Sequence, residues 1–483
     1  MRVSTEAMTA QRHPVVHHPG CERCAVGASP FSVDELEGEV DSDPGSTRTR
    51  AVADLASNLD DYYDRKTGLV KLKGAIESAW LPMEGATFIQ SQSPRSLQTG
   101  IGRTGCWTGS RRVAVLEALE RFAGTQTPKG LVRIDAAHGE IPGMIDPLRF
   151  VLHDRSQQLE PGYQLAPYNE KSRFSWIKGL SLTTGQEVLL PEQLAFYGDR
   201  PDIAGLAGRF VYEISNGCAL GATRAEAIYH GILEVIERDS FLCHWYLKRT
   251  PPELAIDEGC PLNVRLLQQK VHDAGCELRI FDGSLFQAAT TIIVMIRDPN
   301  PDGSLASLSL AGCHTNPFKA LDGAIVEAVS SFTSRSAILG AEKQDRALAM
   351  LNDSSLVQTM DDHMLLYSSE QSTDRLSFLT AGEPISPFSI HFKENIYRAS
   401  VWSLRDALAA ILNELETFGF DVLVASQTNA ALRMADLYSV KTLVPGLLPM
   451  TFGHQYRRVS RERLATVSGT QDFCINPWPH NFP

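Results

Sequence analysis

From about residue 50 to its end, the chain alternates between helical and extended patterns of hydrophobic and polar positions, with no long linker between them. Apolar residues that recur at intervals of three and four predict helices, and these are residues 51–63, 111–122, 224–245, 263–274, 320–334 and 403–417. Short alternating or continuous apolar runs predict strands, and these are residues 175–181, 188–190, 277–281, 290–296, 307–311 and 420–424. Helices and strands mixed along one stretch indicate a single α/β domain over residues 51–483.

Two of the predicted strands are neighbours in the sequence. Residues 290–296 and 307–311 are separated by a loop that contains Pro301, Asp302 and Gly303, which are turn-forming residues. This arrangement predicts a β-hairpin.

The first fifty residues differ from the rest of the chain. Residues 37–50 are first acidic and then rich in Ser, Thr, Gly and Pro, and they hold too little apolar material to form a core. We therefore predict a short, poorly structured N-terminal arm over residues 1–50. Within it, His17, Cys21 and Cys24 have a spacing that suits Zn²⁺, although a structural zinc site usually shows a second pair of ligands. A reduced pair of cysteines in an arm is therefore the favoured interpretation, and a zinc site is the alternative.

The composition narrows the class of protein. The net charge of −12 argues against a protein that coats nucleic acid, because such a protein needs a basic surface. Nine cysteines at irregular spacings do not form a disulfide framework. The N-terminus lacks an apolar signal segment, and the apolar run at residues 292–296 is far shorter than the ~20 residues that cross a membrane. We expect a soluble, cytoplasmic protein that binds neither nucleic acid nor a membrane.

Polar residues occupy one side of the longest predicted helix. At 100° per residue, Glu226, His230, Glu234 and Glu237 share a sector about 80° wide on a helix otherwise rich in Ala, Ile, Leu and Val. Like charges ~4 Å apart repel by about 4 kcal/mol at an effective dielectric constant of about 20. These glutamates are therefore tolerable around a cation, or on a solvated face where Arg238 pairs with Glu234.

A second predicted helix repeats this arrangement. Glu117, Glu120 and Arg121 give the pattern Glu-x-x-Glu-Arg that also occurs at residues 234–238, and each helix follows a glycine-rich segment that predicts a turn. Open backbone N–H groups in such a turn bind phosphate oxygens, and Arg103 lies in the first of the two segments. Carboxylates are the hard ligands that Mg²⁺ prefers beside nucleotide phosphates. The sequence predicts an acidic metal and phosphate site built from helices, although neither turn has the P-loop pattern.

These segments resemble motifs of the YcaO family, in particular its azoline-forming cyclodehydratases of thiazole/oxazole-modified peptide pathways. Residues 215–239 resemble the signature helix of the family, and residues 100–121 resemble its first nucleotide-binding motif. The likeness extends to residues 62–74, to residues 445–453 and to the proline-rich end, residues 476–483, so that it covers nearly the whole predicted domain. It implies a single large YcaO-type mixed α/β domain and an enzyme that uses ATP and Mg²⁺.

The resemblance also implies roles for individual residues. Four glutamates are implied as ligands of Mg²⁺ that bridges the phosphates of ATP, namely Glu117, Glu120, Glu234 and Glu237. Further residues implied in nucleotide binding are Arg103, Arg121, Asn216, Glu226, His230, Arg238 and Glu327. The implied catalytic groups are Glu234, Arg238 and the C-terminal carboxylate of Pro483, which serves as a base or organiser.

The chain departs from the family pattern at several positions. Val113, Ser330 and Phe332 stand where many members have Ser, Gln and Arg, and His230 stands where other branches have Gln. The tail over residues 479–483 has His and Asn where alternating prolines are expected. None of these changes affects the four predicted metal ligands.

The resemblance implies a reaction and its partners. In this family a Cys, Ser or Thr side chain of a ribosomal precursor peptide attacks the preceding amide carbonyl, and ATP phosphorylates the oxyanion, so that loss of phosphate leaves an azoline. The arm is too short for a leader-binding domain, so we expect a separate leader-binding partner. The resemblance also implies a flavin-dependent azoline dehydrogenase and a homodimer. A thioamide- or amidine-forming YcaO enzyme and a non-catalytic nucleotide- or peptide-binding scaffold are the alternatives.

Overall fold

The computed structural model describes most of the chain after residue 41. The described residues are 2–4, 9–11, 13, 15–17, 32, 35–36, 38–40, 42–55, 59–76, 78, 80–89, 97–128, 131–198, 208–301, 305–336, 344–382 and 384–483. His18, Cys21 and Cys24 lie outside them, so the predicted zinc site stays a prediction; the backbone N–H of His17 contacts the Met434 sulfur at 3.2 Å. Within these ranges no helix is long and apolar enough to cross a membrane.

The strands follow one another in an order that confirms a mixed α/β domain. They are β1 (Arg2–Ser4), β2 (Thr9–Gln11), β3 (Val70–Ile76), β4 (Met83–Ile89), β5 (Leu97–Arg103), β6 (Ile134–Ala136), β7 (Phe174–Ser181), β8 (Glu187–Pro191), β9 (Cys218–Gly221), β10 (Glu253–Ala255), β11 (Glu277–Asp282), β12 (Thr290–Arg297), β13 (Ser307–His314), β14 (Pro384–Pro387), β15 (Leu423–Ser426) and β16 (Tyr438–Leu443).

The α-helices lie between these strands and after them. They are α1 (Trp107–Thr125), α2 (Glu192–Ala195), α3 (Arg224–Leu247), α4 (Leu262–Asp273), α5 (Pro317–Ser336), α6 (Gln344–Asn352), α7 (Met360–Leu366), α8 (Phe388–His391), α9 (Lys393–Val401), α10 (Leu404–Thr417), α11 (Ala430–Arg433) and α12 (Arg461–Ser468). The predicted helices that correspond to α1, α3, α4, α5 and α10 are confirmed.

The strands form two larger sheets and two smaller ones. One larger sheet has the order β13-β12-β11-β10-β14, and the other has the order β6-β7-β15-β16-β9 with β8 paired to β7. Strands β3, β4 and β5 form an antiparallel meander, and β1 pairs with β2. The predicted hairpin is confirmed as β12 and β13, which pair from Thr290 opposite His314 to Arg297 opposite Ser307.

Helix α3 is the centre of the fold. Its first turn begins at Thr223, whose hydroxyl accepts a hydrogen bond from the Glu226 N–H at 3.1 Å. It packs against β16 and β9 of one larger sheet and against β13 of the other. Ile228, Ile232 and Ile236 are fully buried in these interfaces, and each such side chain contributes about 1.5–3 kcal/mol relative to an exposed position. A helix held between two sheets presents its polar side chains at a fixed place.

In the segment before α1, Gly100 and Gly102 lie in strand β5, so the turn predicted there was wrong. The segment before α3 does contain a turn at residues 215–217, where Gly217 has a φ of +69°, and it continues as strand β9. A Cβ atom at Gly100 would lie 2.3 Å from the Ala118 nitrogen, and one at Gly102 would lie 1.7 Å from the Ser110 oxygen. These glycines let β5 approach the backbone of α1 closely. Gly221 does the same for β9, because its Cβ would lie 2.5 Å from the nitrogen of Ala227 in α3.

Two other predicted elements differ in the structure. The described parts of the predicted helix 51–63 are 3-10 helices at Val52–Leu55 and Asp60–Tyr62. The strand predicted at residues 420–424 begins only at Leu423. Its first residues instead end helix α10, since Gly419 has a φ of +79° and the Phe420 N–H donates to the Leu415 carbonyl. Helix-end geometry of this kind is set by the positive φ of the glycine.

Candidate functional site

Helices α1, α3 and α5 bring five glutamates together beside the β3–β5 meander. Glu117 and Glu120 lie on α1, Glu234 and Glu237 on α3, and Glu327 on α5. Helix α1 packs on β5, while α5 packs on β13 and also contacts β5. The predicted meeting of carboxylates from separate helices therefore occurs in the structure.

The first group of carboxylates is Glu117, Glu120 and Glu234. Glu117 accepts a hydrogen bond from the Ile101 N–H at 2.8 Å and another from the Arg121 guanidinium at 2.7 Å. Glu120 has less compensation. Burial, followed by the negative charges of Glu234 and Glu117, raises its pKa to about 8. A neighbouring cation would be needed to hold Glu120 ionised at neutral pH.

The second group is Glu234, Glu237 and Glu327, so that Glu234 belongs to both. Glu234 accepts hydrogen bonds from the Gly217 N–H at 2.7 Å and from Arg238 at 3.2 Å. Burial, and then the charges of Glu327 and Glu234, raise the pKa of Glu237 well above its ordinary value, although Arg238 opposes this. The two groups thus form one continuous acidic cluster with Glu234 in its middle.

Three arginines accompany these five glutamates. Arg121 pairs with Glu117, and Arg238 pairs with Glu234. Arg103 lies 3.3 Å from Glu327 and also donates a hydrogen bond to the Ser330 hydroxyl at 3.3 Å. Ser330, one of the positions that departs from the family pattern, therefore holds an arginine of the site.

A cavity of about 320 Å³ opens on the α1 side of this cluster. Its lining includes charged residues from α1, α3, strand β5 and the end of the predicted arm, namely Arg48, Arg50, Arg103, Glu117, Glu120 and Glu226. Val113, where many family members have Ser, lies in its wall. The cavity thus combines carboxylates with arginines, as a site for a metal–nucleotide complex requires.

The end of the predicted arm is part of this site, which the sequence analysis missed. The Arg48 guanidinium pairs with Glu226 at 2.5 Å, and the Thr49 N–H and hydroxyl donate to the same carboxylate at 3.2 and 2.9 Å. Thr47 is buried beside His314. The signal was present in the sequence as the basic run at residues 48–50 that follows an acidic stretch.

Two of the predicted nucleotide-binding residues, Asn216 and His230, belong neither to the cavity lining nor to the acidic cluster. Both ends of the Asn216 amide are used within the protein, since Nδ2 donates to the Met450 carbonyl and to Glu213 while Oδ1 accepts from the Met450 N–H. Asn216 faces a separate space of about 40 Å³. The His230 ring packs against Tyr229 and His314, and burial lowers its pKa well below the ordinary value.

The C-terminal tail enters the core next to the acidic cluster. The carbonyl of Trp478 accepts a hydrogen bond from the Trp245 indole at 3.0 Å, and the carbonyl of Pro479 accepts one from the Tyr367 hydroxyl at 2.7 Å. The Phe482 ring lies 4.8 Å from the guanidinium carbon of Arg238. The tail therefore reaches an arginine of the site, and the role of the Pro483 carboxylate stays a prediction.

The residues present fit Mg²⁺. Three arginines accompany the five oxygen-donor side chains, and burial together with neighbouring carboxylates raises the pKa values of Glu120 and Glu237. Within the described ranges, no three of these groups are close enough to form a complete metal site by themselves. Mg²⁺ usually takes one or two carboxylates and fills its remaining positions with water and phosphate oxygens, so the cluster supplies what the ion requires.

A cluster of this kind beside a cavity defines a candidate metal- and nucleotide-dependent enzyme. The model of the YcaO cyclodehydratase family, described as ATP- and Mg²⁺-binding, matches residues 101–448. This match covers more than half of the chain. The chain therefore belongs to the YcaO family. The predicted family and its cofactors, ATP and Mg²⁺, are thereby confirmed.

Relatives and solved structures agree with this assignment. An uncharacterized protein of Methanothermobacter thermautotrophicus is 31% identical over 245 residues, which are 49% of this chain and 57% of that protein. The chain therefore spans less than two thirds of that relative. A heterocyclase in complex with substrate and cofactor has a TM-score of 0.70 at 20% identity, over 94% of this chain and 60% of the other. YcaO from Methanopyrus kandleri, bound with AMPPCP and Mg²⁺, has a TM-score of 0.58 at 18% identity, over 85% and 94% of the two chains. These likenesses show the fold.

Proposed function

We propose that this chain is an ATP- and Mg²⁺-dependent cyclodehydratase that converts Cys, Ser or Thr residues of a ribosomal peptide into thiazolines or oxazolines. The observation that carries the proposal is the under-compensated carboxylate cluster on α1, α3 and α5 beside a cavity lined by arginines. A chain that kept only the fold would gain nothing from holding such a cluster, because uncompensated buried carboxylates destabilise the folded state.

In this proposal the four glutamates Glu117, Glu120, Glu234 and Glu237 hold Mg²⁺. When bound, ATP supplies the phosphoryl group that makes the amide oxygen a good leaving group, and Mg²⁺ neutralises the phosphate charges. Arg103 and Arg121 add positive charge at the cavity and beside it. Because phosphoryl transfer depends mainly on positioning and charge neutralisation, residues fixed by secondary structure are suited to this role.

The remaining steps require a group that accepts protons. The side chain of the substrate loses its S–H or O–H proton as it attacks the preceding amide carbon, and the amide nitrogen loses its proton when phosphate departs. We assign the proton acceptor to the C-terminal carboxylate of Pro483. The support for this assignment is that Phe482, the residue before Pro483, is buried and its ring lies 4.8 Å from the guanidinium carbon of Arg238.

The proposal includes partners. The substrate is a precursor peptide whose leader is captured by a separate protein, and a flavin-dependent dehydrogenase would oxidise the azolines. We further propose that the enzyme acts in the cytoplasm and as a homodimer. The reconstitution described next tests the precursor peptide and the leader-binding protein.

The test is a reconstitution with ATP, Mg²⁺, a Cys-containing precursor peptide and a leader-binding partner protein. The peptide should lose the mass of one water for each ring, and the loss should depend on both ATP and Mg²⁺. Exchange of an oxygen for a sulfur would instead establish the thioamide-forming alternative. An unchanged peptide, with binding of ATP and of the partner confirmed, would contradict the proposal and favour a non-catalytic scaffold.

A further inference from the structure

Two buried histidines stack on each other where the C-terminal tail enters the core. His363 lies on α7 and His480 in the tail, with ring centroids 4.2 Å apart and an angle of 28° between the ring planes. Both side chains are less than 5% exposed. Neither residue belongs to the cavity or the acidic cluster described above, so their arrangement requires a separate explanation.

Hydrogen bonds determine which ring nitrogen of His363 carries the proton. Its Nε2 atom accepts a hydrogen bond from the Gly453 N–H at 3.1 Å, so Nδ1 carries the proton and donates to the His480 carbonyl at 2.9 Å. A neutral ring in this tautomer satisfies both contacts. His363 therefore links the loop before Gly453 to the backbone of the tail.

His480 continues the connection toward the terminus. Its Nδ1 atom lies 3.1 Å from the Phe482 carbonyl, and its Nε2 atom lies 3.0 Å from the Thr451 carbonyl. Asn481 adds a hydrogen bond from its Nδ2 atom to the Ser309 hydroxyl at 2.8 Å. A neutral His480 ring donates to only one of its two carbonyl neighbours. That bond and the one from Asn481 order a tail that lacks the alternating prolines expected of the family.

The ordered tail places one ring on an arginine of the site. Phe482 is 2% exposed, with its ring 4.9 Å from Phe241 and 4.8 Å from the guanidinium carbon of Arg238. Arg238 in turn contacts Glu234 at 3.2 Å and lies 3.7 Å from Glu237. An aromatic ring over one face of a guanidinium attracts its charge and restricts its position.

We propose that His363 and His480 form a clasp that positions Arg238 between Glu234 and Glu237 by holding Phe482 against its guanidinium group. This inference rests on the proposed function, because Arg238 has a task there only if the cluster binds Mg²⁺ and nucleotide. His363, His480 and Phe482 are positioning residues.

The test compares binding of AMPPCP in saturating Mg²⁺ by calorimetry. His363→Phe keeps the ring and removes both hydrogen bonds, and we expect it to weaken binding by about twofold to thirtyfold, the range of one cation–π contact. His363→Asn keeps a donor near the Nδ1 position and should bind within about twofold of the wild type. Phe482→Leu should match His363→Phe, and the double variant should be no weaker than either single variant, because both changes act through the same contact.

A second measurement needs no ligand. Hydrogen exchange of the amides in residues 476–483 should be faster in His363→Phe than in the wild type and restored in His363→Asn. Wild-type binding or unchanged exchange in His363→Phe would overturn the clasp, and so would additive losses in the double variant. Thermal unfolding of each variant shows whether it is folded at the temperature of the titration.

Failure of the clasp is distinguishable from failure of the proposed function. If the wild type binds AMPPCP with Mg²⁺ and Glu237→Gln does not, the proposed binding site is supported. Normal binding by His363→Phe would then reject the clasp alone. If the wild type does not bind, the proposed function itself is contradicted.

Discussion

Two sets of buried charges lie close to helix α3, and they differ in how well each is balanced. In the acidic cluster, burial and neighbouring glutamates raise the pKa of Glu120 to about 8 and that of Glu237 well above its ordinary value. The Glu213 side chain is only 3% exposed, against 14% for Glu237, but Lys441 at 3.1 Å and Arg458 at 2.8 Å outweigh the effect of burial and lower the pKa of Glu213.

This difference distinguishes charged residues that stabilise the fold from charged residues that we propose bind a ligand. Glu213 has two cationic partners, and Asp239 of the same region accepts hydrogen bonds from Arg463 at 3.1 and 2.6 Å. Such pairs keep a buried charge satisfied within the protein. Glu120 and Glu237 lack this compensation, and strongly perturbed groups beside a cavity are typical of functional sites.

The largest effect is expected for Glu237→Gln. The change removes a predicted metal ligand, so ATP turnover should fall by at least ~10²-fold, since even residues that only support metal ligands contribute 10–100-fold. Stability should not fall, because a neutral amide costs less to bury than an uncompensated carboxylate. Phosphate release and thermal unfolding measure the two effects. If Glu237→Gln keeps the turnover of the wild type, with or without a large loss of stability, Glu237 is a structural residue and not a metal ligand.

Glu213→Gln should show the opposite behaviour. It leaves Lys441 and Arg458, both almost fully buried, without their carboxylate, and we expect a loss of about 3–5 kcal/mol in the free energy of unfolding. Urea denaturation measures this loss. The matched control is Glu187→Gln in the exposed pair with Lys178, which should cost less than about 1 kcal/mol. Equal losses in the two variants would show that the buried network does not stabilise the fold.

The pH dependence of stability sharpens the comparison further. Between the ordinary value of 4.5 and about 8, folded Glu120 keeps a proton that the unfolded chain has released. The ligand-free protein should therefore lose stability as pH rises through this window, by up to about 1 kcal/mol per pH unit from this group. Glu120→Gln removes this part of the dependence. Denaturation profiles of the wild type and the variant should diverge with pH, and parallel profiles would contradict the raised pKa.

The smallest effect is expected at the arginine that accompanies Glu327. Ser330→Ala removes one hydrogen bond to Arg103 and should weaken binding of AMPPCP with Mg²⁺ by about 0.5–1 kcal/mol. Ser334→Ala is the control, because that hydroxyl bonds only to carbonyls of its own helix among the contacts described. If the two variants bind equally well, Ser330 does not help to hold Arg103 in the site.

Periodicity predicted the parts of this molecule that depend on local pattern. The long helices α1, α3 and α5 and the β12–β13 hairpin follow directly from the spacing of apolar residues. Because the side chains of Glu234 and Glu237 share one side of α3, their angular positions around the helix also indicated that they act together. The repeated Glu-x-x-Glu-Arg pattern suggested that α1 and α3 share one site, and the resemblance strengthened this prediction, although no local pattern encodes a contact between distant segments.

The features that could not be predicted from the sequence depend on contacts between distant segments of the fold. Gly100 and Gly102 have the composition of a turn, yet the helix packed on β5 requires them in a strand. Residues 42–50 have the composition of a free arm, and only the structure shows Arg48 paired with Glu226. Asn216 lies in the motif, but the backbone of Met450, more than two hundred residues later, uses its amide.

The most direct test of the acidic cluster is the position of the metal. Crystals grown with AMPPCP and Mn²⁺, which accepts the same oxygen ligands as Mg²⁺, would show the ion by its anomalous scattering. We predict metal peaks coordinated by Glu117 or Glu120 from α1 together with Glu234 or Glu237 from α3. A nucleotide-bound crystal whose metal peaks contact neither helix would contradict the account.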